Sequence, residues 1–263
     1  ERKARPVKFS FHRWAVFSIL YFACMRLWRH HYPHYRHHRN TRIGVEALYG
    51  IRNGVRKLYF ALTERPFSHT ITGNLSKKYY FVPLQVQYDF QISRHSPFHD
   101  MQDFIRTVMV SFAKRAPKDT RLVVKHHPMD RGRTLFYTFI AELAESLGIS
   151  DRVQVIHDIH LPTCLKNAIA TVTINSTVGI ASLFHGTPIL VLGEAFYDIE
   201  GLTCRGMPLD RFWSEYTPPD RNLFQKFRRY LIEKTQLEGS FYGGFPTKTL
   251  DRLRDQIKIR CPE

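Results

Sequence analysis

From Tyr79 to Leu192, short apolar runs alternate with longer segments of helical period, and this alternation restricts the fold more than any other feature. The runs are Tyr79–Val86, Leu122–Val124, Val153–Ile156, Ala170–Ile174 and Ile189–Leu192. Continuous apolar runs of this length suit strands covered on both faces. Between the first two, Phe98, Met101, Phe104, Ile105, Val108, Met109 and Phe112 recur at helical spacing. Ser96 is a candidate cap and Pro97 suits the first turn; Asp100 and Asp103 come early, Lys114 and Arg115 late. Further helices are expected over Leu135–Leu147, closed by Gly148, over Leu161–Ala168, and over Val178–His185, closed by Gly186. Five strands separated by helices predict an α/β domain, a parallel sheet with helices on both faces.

Outside that core the signals are plainer. Residues 44–65 read as a helix and residues 66–76 as a linker. Helices are expected near Asn222–Glu233 and Thr249–Ile259. The reading divides the chain into a basic helical segment with connector at 1–78, a Rossmann-like domain at 79–214 and a helical tail at 215–263.

Charge is distributed unevenly. The net charge is +16, and residues 1–88 carry 16 Lys/Arg against three acids, Glu1, Glu46 and Glu64. A basic field suits phosphate-bearing partners: nucleic acid, anionic lipid or a polyanionic glycan. No recognised nucleic-acid module accompanies it, so nucleic acid is not expected. The longest apolar run, Trp14–Met25, is too short to span a bilayer and has basic flanks. It fits a helix lying in a membrane interface, or a buried helix with basic ends. The histidines of residues 30–42 follow no metal-ligand spacing, so a solvated basic loop is expected and no metal. Four cysteines without C-x-x-C spacing read as reduced thiols.

In parallel sheets, ligands bind beyond the carboxyl ends of the strands. Polar clusters fall there at Gln85–His95, Lys125–Arg131, Asn175–Gly179 and Glu194–Thr203. Neither G-x-G-x-x-G nor a P-loop is present. A histidine of Lys125-His126-His127-Pro128 can hydrogen-bond a phosphate or protonate a leaving group, and Lys125 or Arg131 can offset its charge. These histidines can equally be satisfied by backbone groups. Asn175, Ser176 and Thr177 open a helix, where hydroxyls and free N–H groups can hold an anion or simply cap the helix. Asp89 can serve as nucleophile, base or orienter of sugar hydroxyls, or can merely form a turn. Glu194, Asp198 and Glu200 offer other carboxylates near the same edge, and spacing does not choose among them.

Taken together, VPLQVQYDFQI followed by HSPF, then VKHHPMDRG, VTINSTVGIASLFHGTPILVLG, AFYDIEGLT and GSFYGG closely resemble the bacterial capsule polysaccharide biosynthesis/export family of KpsS/LipB type. The similarity runs over about residues 79–245 and is weak in the basic N-terminal third. The resemblance implies a GT-B-like fold of two Rossmann-like domains. It also implies a retaining β-Kdo glycosyltransferase that takes Kdo from CMP-Kdo without a cofactor. A phosphatidylglycerol-type lipid would be the acceptor, a KpsC-type transferase and the capsule export machinery the partners, and the cytoplasmic face of the anionic inner membrane the location. Asp89 and His127 then match catalytic positions. Lys125, His126, His127, Pro128, Asn175, Ser176 and Thr177 match the donor-nucleotide segments. Gln85, Gln87, Arg131, Glu194 and Asp198 are candidate sugar or acceptor contacts. An enzyme of this type begins with another Rossmann-like domain. No strand–helix alternation precedes Tyr79, so residues 1–78 read as the end of an incomplete N-terminal domain. The alternative is a non-catalytic, membrane-associated scaffold of the same machinery.

Overall fold

The computed structural model of the chain describes residues 11–35, 43–87, 89–236, 251 and 254. It separates into two compact units, Ala47–Gln225, and Glu1–Glu46 with Lys226–Glu263.

The larger unit is built on five parallel strands: β1 (Tyr79–Pro83), β2 (Arg121–Lys125), β3 (Val153–Ile156), β4 (Ala170–Thr173) and β5 (Ile189–Val191). Their order is β3-β2-β1-β4-β5. Register runs Tyr80 beside Leu122 and Ala170, Val124 beside Val155, and Val172 beside Leu190. The chain builds outward from β1 to β3, then returns to lay β4 on the other side of β1. The order therefore reverses between β1 and β4, and the crevice at their carboxyl ends is the topological switch point.

Helices cover both faces because successive strand residues point to opposite sides. On one face Tyr80, Val82, Leu122, Val124, Ala170 and Val172 pack with Phe104, Val108 and Phe112 of α5 (Met101–Arg115). Ile140 of α6 (Tyr137–Ser146) and Trp213 of α9 (Leu209–Glu215) complete that side. On the other face Tyr79, Phe81, Val123 and Ile156 meet Ile71 of α3 (Arg65–Thr72) and Cys164 and Leu165 of α7 (Leu161–Asn167). Each such large side chain contributes about 1.5–3 kcal/mol on burial. Two of the buried aromatic side chains satisfy their polar atoms: Tyr79 donates to the Cys164 carbonyl at 2.5 Å, and Trp213 Nε1 to Ser111 Oγ at 2.8 Å.

Several boundaries differ from the sequence reading, each for a local reason. Residues 66–76 hold α3 rather than a linker: Pro66 sits in its first turn, and Ile71 and Phe67 face the sheet. Helix α5 begins at Met101, capped by Asp100, whose carboxylate accepts from Asp103 N at 2.9 Å. Ser96 instead closes the preceding short helix α4 (Phe90–Arg94), donating to the Ile92 carbonyl at 2.6 Å. Gly148 and Gly186 end their helices at positive φ, +65° and +70°.

Ahead of the sheet lie α1 (Phe11–Leu27) and α2 (Ile43–Thr63). In α1, Val16, Phe17, Ile19, Leu20 and Tyr21 are all exposed, without one apolar side. Among the described residues no helix is long and apolar enough to cross a membrane. Helix α8 (Val178–Phe184) lies between β4 and β5, and α10 (Arg221–Lys234) follows α9. The expected helix at Thr249–Ile259 lies almost wholly outside the described residues.

Candidate functional site

Four loops meet at the carboxyl edge of the sheet and are cross-linked there. The loop after β1 and the loop after β4 are joined across the switch point by two side-chain amides. Gln85 Nε2 donates to Asn175 Oδ1 at 2.9 Å, and Asn175 N donates to Gln85 Oε1 at 3.2 Å. Asn175 Nδ2 also donates to the carbonyls of Gln91 and His95 at 3.1 and 3.2 Å. The loop after β2 joins through Asp130, buried to 2% exposure, whose Oδ2 accepts from Gln87 N at 2.7 Å. The loop after β5 joins through Glu194 N, which donates to the His95 carbonyl at 2.7 Å.

Two glycines permit this closeness. A Cβ on Gly193 would lie 2.7 Å from the His95 carbonyl oxygen. A Cβ on Gly179 would lie 2.3 Å from the Tyr197 hydroxyl, which donates to the Ser176 carbonyl at 2.5 Å.

At this edge His127 is half-buried, with Nδ1 accepting from Met129 N at 3.2 Å. That bond assigns the ring proton to Nε2. Burial holds the His127 pKa below its ordinary value, although the charges of Asp130 and Asp89 oppose the shift. His127 is thus a neutral donor at pH 7, and the Asp89 carboxylate is near enough to act on it. Asp89 caps α4, its Oδ1 accepting from Gln91 N at 3.0 Å, the turn-forming role the sequence also allowed. Ser176 Oγ accepts from Val178 N at 3.2 Å, and Thr177, exposed at the start of α8, makes no capping bond with its side chain. Helix α8 has only seven residues, so the hydroxyls and N–H groups of its first turn matter more than its length. Pro128 is exposed beside His127.

The other residues expected at the donor are turned inward. His126 is 1% exposed, stacked 5.4 Å from the His157 ring, and burial pushes its pKa down to about 4. Lys125 donates to the His157 carbonyl at 2.5 Å, and burial lowers its pKa. Arg131 pairs with Asp158 at 2.5 Å and donates to Asn53 Oδ1 at 3.1 Å. Lys125 Nζ, His126 Nδ1 and the Arg131 Nη atoms are taken up by protein partners because the loop folds back over the end of β3. Gln85 and Asn175 likewise spend theirs on each other. Glu194 pairs with His95 at 3.0 Å, Asp198 accepts from Thr203 Oγ1 at 2.5 Å, and Gln87 contributes its backbone N–H to Asp130.

Asp130, Tyr197 and Glu64 were absent from the sequence-derived set. Asp130 lies three residues after His127 and could have been found as the next carboxylate in that segment. Nothing local marks Tyr197 or Glu64, whose partners are 21 and 93 residues away in sequence.

The family model described as "Capsule polysaccharide biosynthesis protein" matches residues 1–242. Capsule polysaccharide export protein KpsS of Escherichia coli is 43% identical over 215 residues, 82% of this chain and 55% of that protein. Capsule polysaccharide modification protein LipB of Neisseria meningitidis serogroup A is 37% identical over 220 residues, 82% of this chain and 52% of that protein. The chain therefore spans about half the length of these relatives. Solved structures with remote similarity include Thermosulfurimonas dismutans KpsC, a β-Kdo 2,7 transferase. It has 20% identity and a TM-score of 0.39, covering 64% of this chain and 52% of that one. Anabaena HepE, solved with UDP and glucose, has 10% identity and a TM-score of 0.40, covering 72% and 50%. With the family model spanning nearly its whole length and KpsS and LipB so similar, the chain belongs to the capsule polysaccharide biosynthesis protein family.

Proposed function

We propose that the chain carries the donor-binding part of a retaining glycosyltransferase that moves Kdo from CMP-Kdo to a phosphatidylglycerol-type lipid, starting a capsule linker. The observation that supports this most is the grouping of His127, Asp89, Ser176 and Thr177 on cross-linked loops at the switch point. A leaving cytidine monophosphate gains negative charge as its bond to the sugar breaks, and neutral donors such as His127 Nε2–H and the Thr177 hydroxyl stabilise that charge. In this reading Asp89 attacks the anomeric carbon, and the bonding electron pair departs with the phosphate. The acceptor hydroxyl then displaces the Asp89 ester, losing its proton to solvent, so that two inversions give retention. Pro128 shapes the phosphate side, and Glu194 and Asp198 line the acceptor side.

The reading also puts the protein on the cytoplasmic face of the inner membrane beside a KpsC-type transferase and the export machinery. Exposed apolar side chains on α1, with Arg26 and Arg29 at its end, suit anionic lipid headgroups. That same feature favours the second reading, a membrane-associated scaffold without catalysis.

Titrating CMP into the chain by calorimetry, beside a transfer assay with CMP-Kdo and a lipid acceptor, separates the two. Transfer supports the enzyme; CMP binding without transfer, in a chain extended to its relatives' length, supports the scaffold. No CMP binding in either form overturns the donor site. Vesicle sedimentation tests the membrane placement, which equal and salt-independent binding to neutral and anionic vesicles contradicts.

A further inference from the structure

The loop carrying His127 has no regular structure of its own. Inside it, Asp130 N donates to the His127 carbonyl at 3.1 Å and Arg133 N to the Asp130 carbonyl at 2.8 Å. From the front, Asp130 Oδ2 accepts from Gln87 N of the loop after β1 at 2.7 Å, and a second set of ties comes from behind, from the end of β3 and from the inner side of α2.

On that side three rings form a column. Phe60 of α2 stacks on His157 with centroids 3.6 Å apart and planes 2° from parallel. His157 stacks in turn on His126, the residue before His127, and His126 approaches the Phe136 ring at 5.6 Å. Glu64, just past the end of α2 and with a side chain only 12% exposed, ties the column down. Its carboxylate accepts from His157 N at 2.7 Å, Asp158 N at 2.8 Å and His157 Nδ1 at 2.9 Å. Asp158 pairs with Arg131, Asn53 Oδ1 accepts from Arg131, and Arg56 donates to the Arg131 carbonyl at 2.7 Å. Both ends of the loop, His126 and Arg131, are therefore held by the same short stretch of helix.

The column is an expensive way to close the end of a strand. His126 Nε2, His157 Nε2, Arg131 Nε and Asp158 Oδ2 are buried without a hydrogen-bond partner. A half-satisfied buried network is less stable than an apolar plug of the same volume. The arrangement gains something an apolar plug lacks: directional bonds that fix the backbone at His157 and Asp158, and a ring stack that fixes the rotation of His126. The His126 Nδ1 also meets the His127 carbonyl at 3.2 Å, so the stack bears directly on the backbone of the next residue.

We propose that Glu64, Phe60 and His157 are positioning residues for the His127 loop, aiming its Nε2–H at the ligand from the end of α2 and the end of β3, outside the ligand's reach. The proposal rests on the reading of that loop as the donor site. It assigns His126 to support of the loop and leaves ligand contact to His127. It also makes α2 part of the site, so that displacing α2 loosens the loop.

Hydrogen exchange of individual amides, with CMP as the probe ligand, tests it. In Glu64→Gln, the amides of Met129, Asp130 and Arg133 are expected to exchange about tenfold faster or more, while those of Val82 and Val124 keep the parent's rate. CMP affinity should fall by a similar factor. His157→Asn keeps a donor for Glu64 but lacks the ring, and should loosen the loop to a lesser degree; it decides the question if Glu64→Gln does not fold. Loop amides that exchange at the parent's rate overturn the proposal. Strand and loop amides accelerating together overturn it as well, because the residues would then support the fold as a whole. If the parent itself binds no CMP, the donor-site reading fails, while the exchange measurement still reports whether the column holds the loop.

Discussion

The sheet and the two helices ahead of it draw on similarly apolar sequence and dispose of it in opposite ways. In the sheet, both faces of every strand find a helix, and Tyr79, Phe81, Val123 and Ile156 are fully buried. Among the described residues of its own unit, helix α2 finds a partner for one side only. Asn53, Arg56 and Phe60 reach the β2 and β3 loops, whereas Leu48, Ile51, Val55, Leu58 and Leu62 stay exposed. At about 100° per residue these two sets lie on opposite sides of the helix. Their difference teaches that apolar periodicity reports which side of a helix is made for burial, and leaves open what buries it. It also shows that the polar side of α2 does the local work, because that side meets the site.

The largest expected effect tests whether chemistry belongs to the sheet edge. Asp89→Ala should reduce transfer by about 10³-fold or more while leaving CMP affinity near the parent's. His127→Ala should weaken CMP binding and slow transfer together, the latter by about 10²–10³-fold. Near-normal transfer by Asp89→Ala removes its catalytic role, and unchanged CMP affinity in His127→Ala moves the donor site elsewhere.

Next comes the contrast in packing. Trp213 is fully buried between α5 and the sheet, its ring 4.9 Å from Tyr80 and 5.5 Å from Phe112. Trp213→Ala should cost about 3–5 kcal/mol in denaturant unfolding. A loss below about 1 kcal/mol would show that this side of the sheet is not the close-packed core described.

Gly179→Ala is expected to cost about 1–3 kcal/mol, because the new methyl meets the Tyr197 ring. That ring is fully buried and tied to the Ser176 carbonyl, so it cannot simply swing aside. Unfolding measurements on Gly179→Ala beside Tyr197→Phe check this. A neutral Gly179→Ala would mean that the loop after β5 yields more easily than its bonds suggest.

How much of this could be read from sequence follows the range of the interactions. The five strands and the helices between them, apart from the five-residue α4, were legible because their signals are local: runs such as Leu122–Val124, and a stop such as Gly148. The edge loops were legible for the same reason, since polar clusters after apolar runs mark strand ends. Which cluster members face outward was not. Lys125, His126 and Arg131 look like phosphate ligands in sequence, yet His157, Asp158 and Asn53 claim them, and those partners lie 27 to 78 residues away. Helix α3 was missed because Pro66, Ser68, Thr70 and Thr72 give its short span the composition of a loop. Only the sheet face that Ile71 covers makes it a helix.

The Glu64 carboxylate supplies a pH test of the inner side of α2. Burial alone would push its pKa up, but hydrogen bonds from His157 and Asp158 outweigh that and leave it below the ordinary value. A carboxyl whose pKa is lower in the folded state stabilises the fold above its unfolded pKa, about 4.3, and loses that contribution as pH falls through the folded value. Burial raises Asp130 and Asp158 instead, so these two change stability with the opposite sign. The parent's stability advantage over Glu64→Gln should therefore be full at neutral pH and shrink in acid. Denaturant unfolding of both proteins between about pH 3 and 7 measures it. A difference independent of pH means that the carboxylate's charge contributes nothing.

The smallest expected effect falls on the outer side of the same helix. Val55 and Leu58 are both 65% exposed, so replacing either with Ser removes little buried area. Each change should alter stability by no more than about 0.5 kcal/mol, as for surface positions in general. The set of five recurs at alternating steps of three and four residues, the spacing of helices that pack against another helix. Leaving such a stripe in water is tolerable for one helix but favours association. The measurement is denaturant unfolding of Val55→Ser and Leu58→Ser at two protein concentrations. Stability that matches the parent at both concentrations keeps the contrast between the two sides of α2. A loss approaching that of Trp213→Ala, the same at both concentrations, would mean that the stripe is packed within the chain. A loss that grows with protein concentration would mean that a second copy covers it, and the comparison between sheet and helix would then have to be drawn for the assembly.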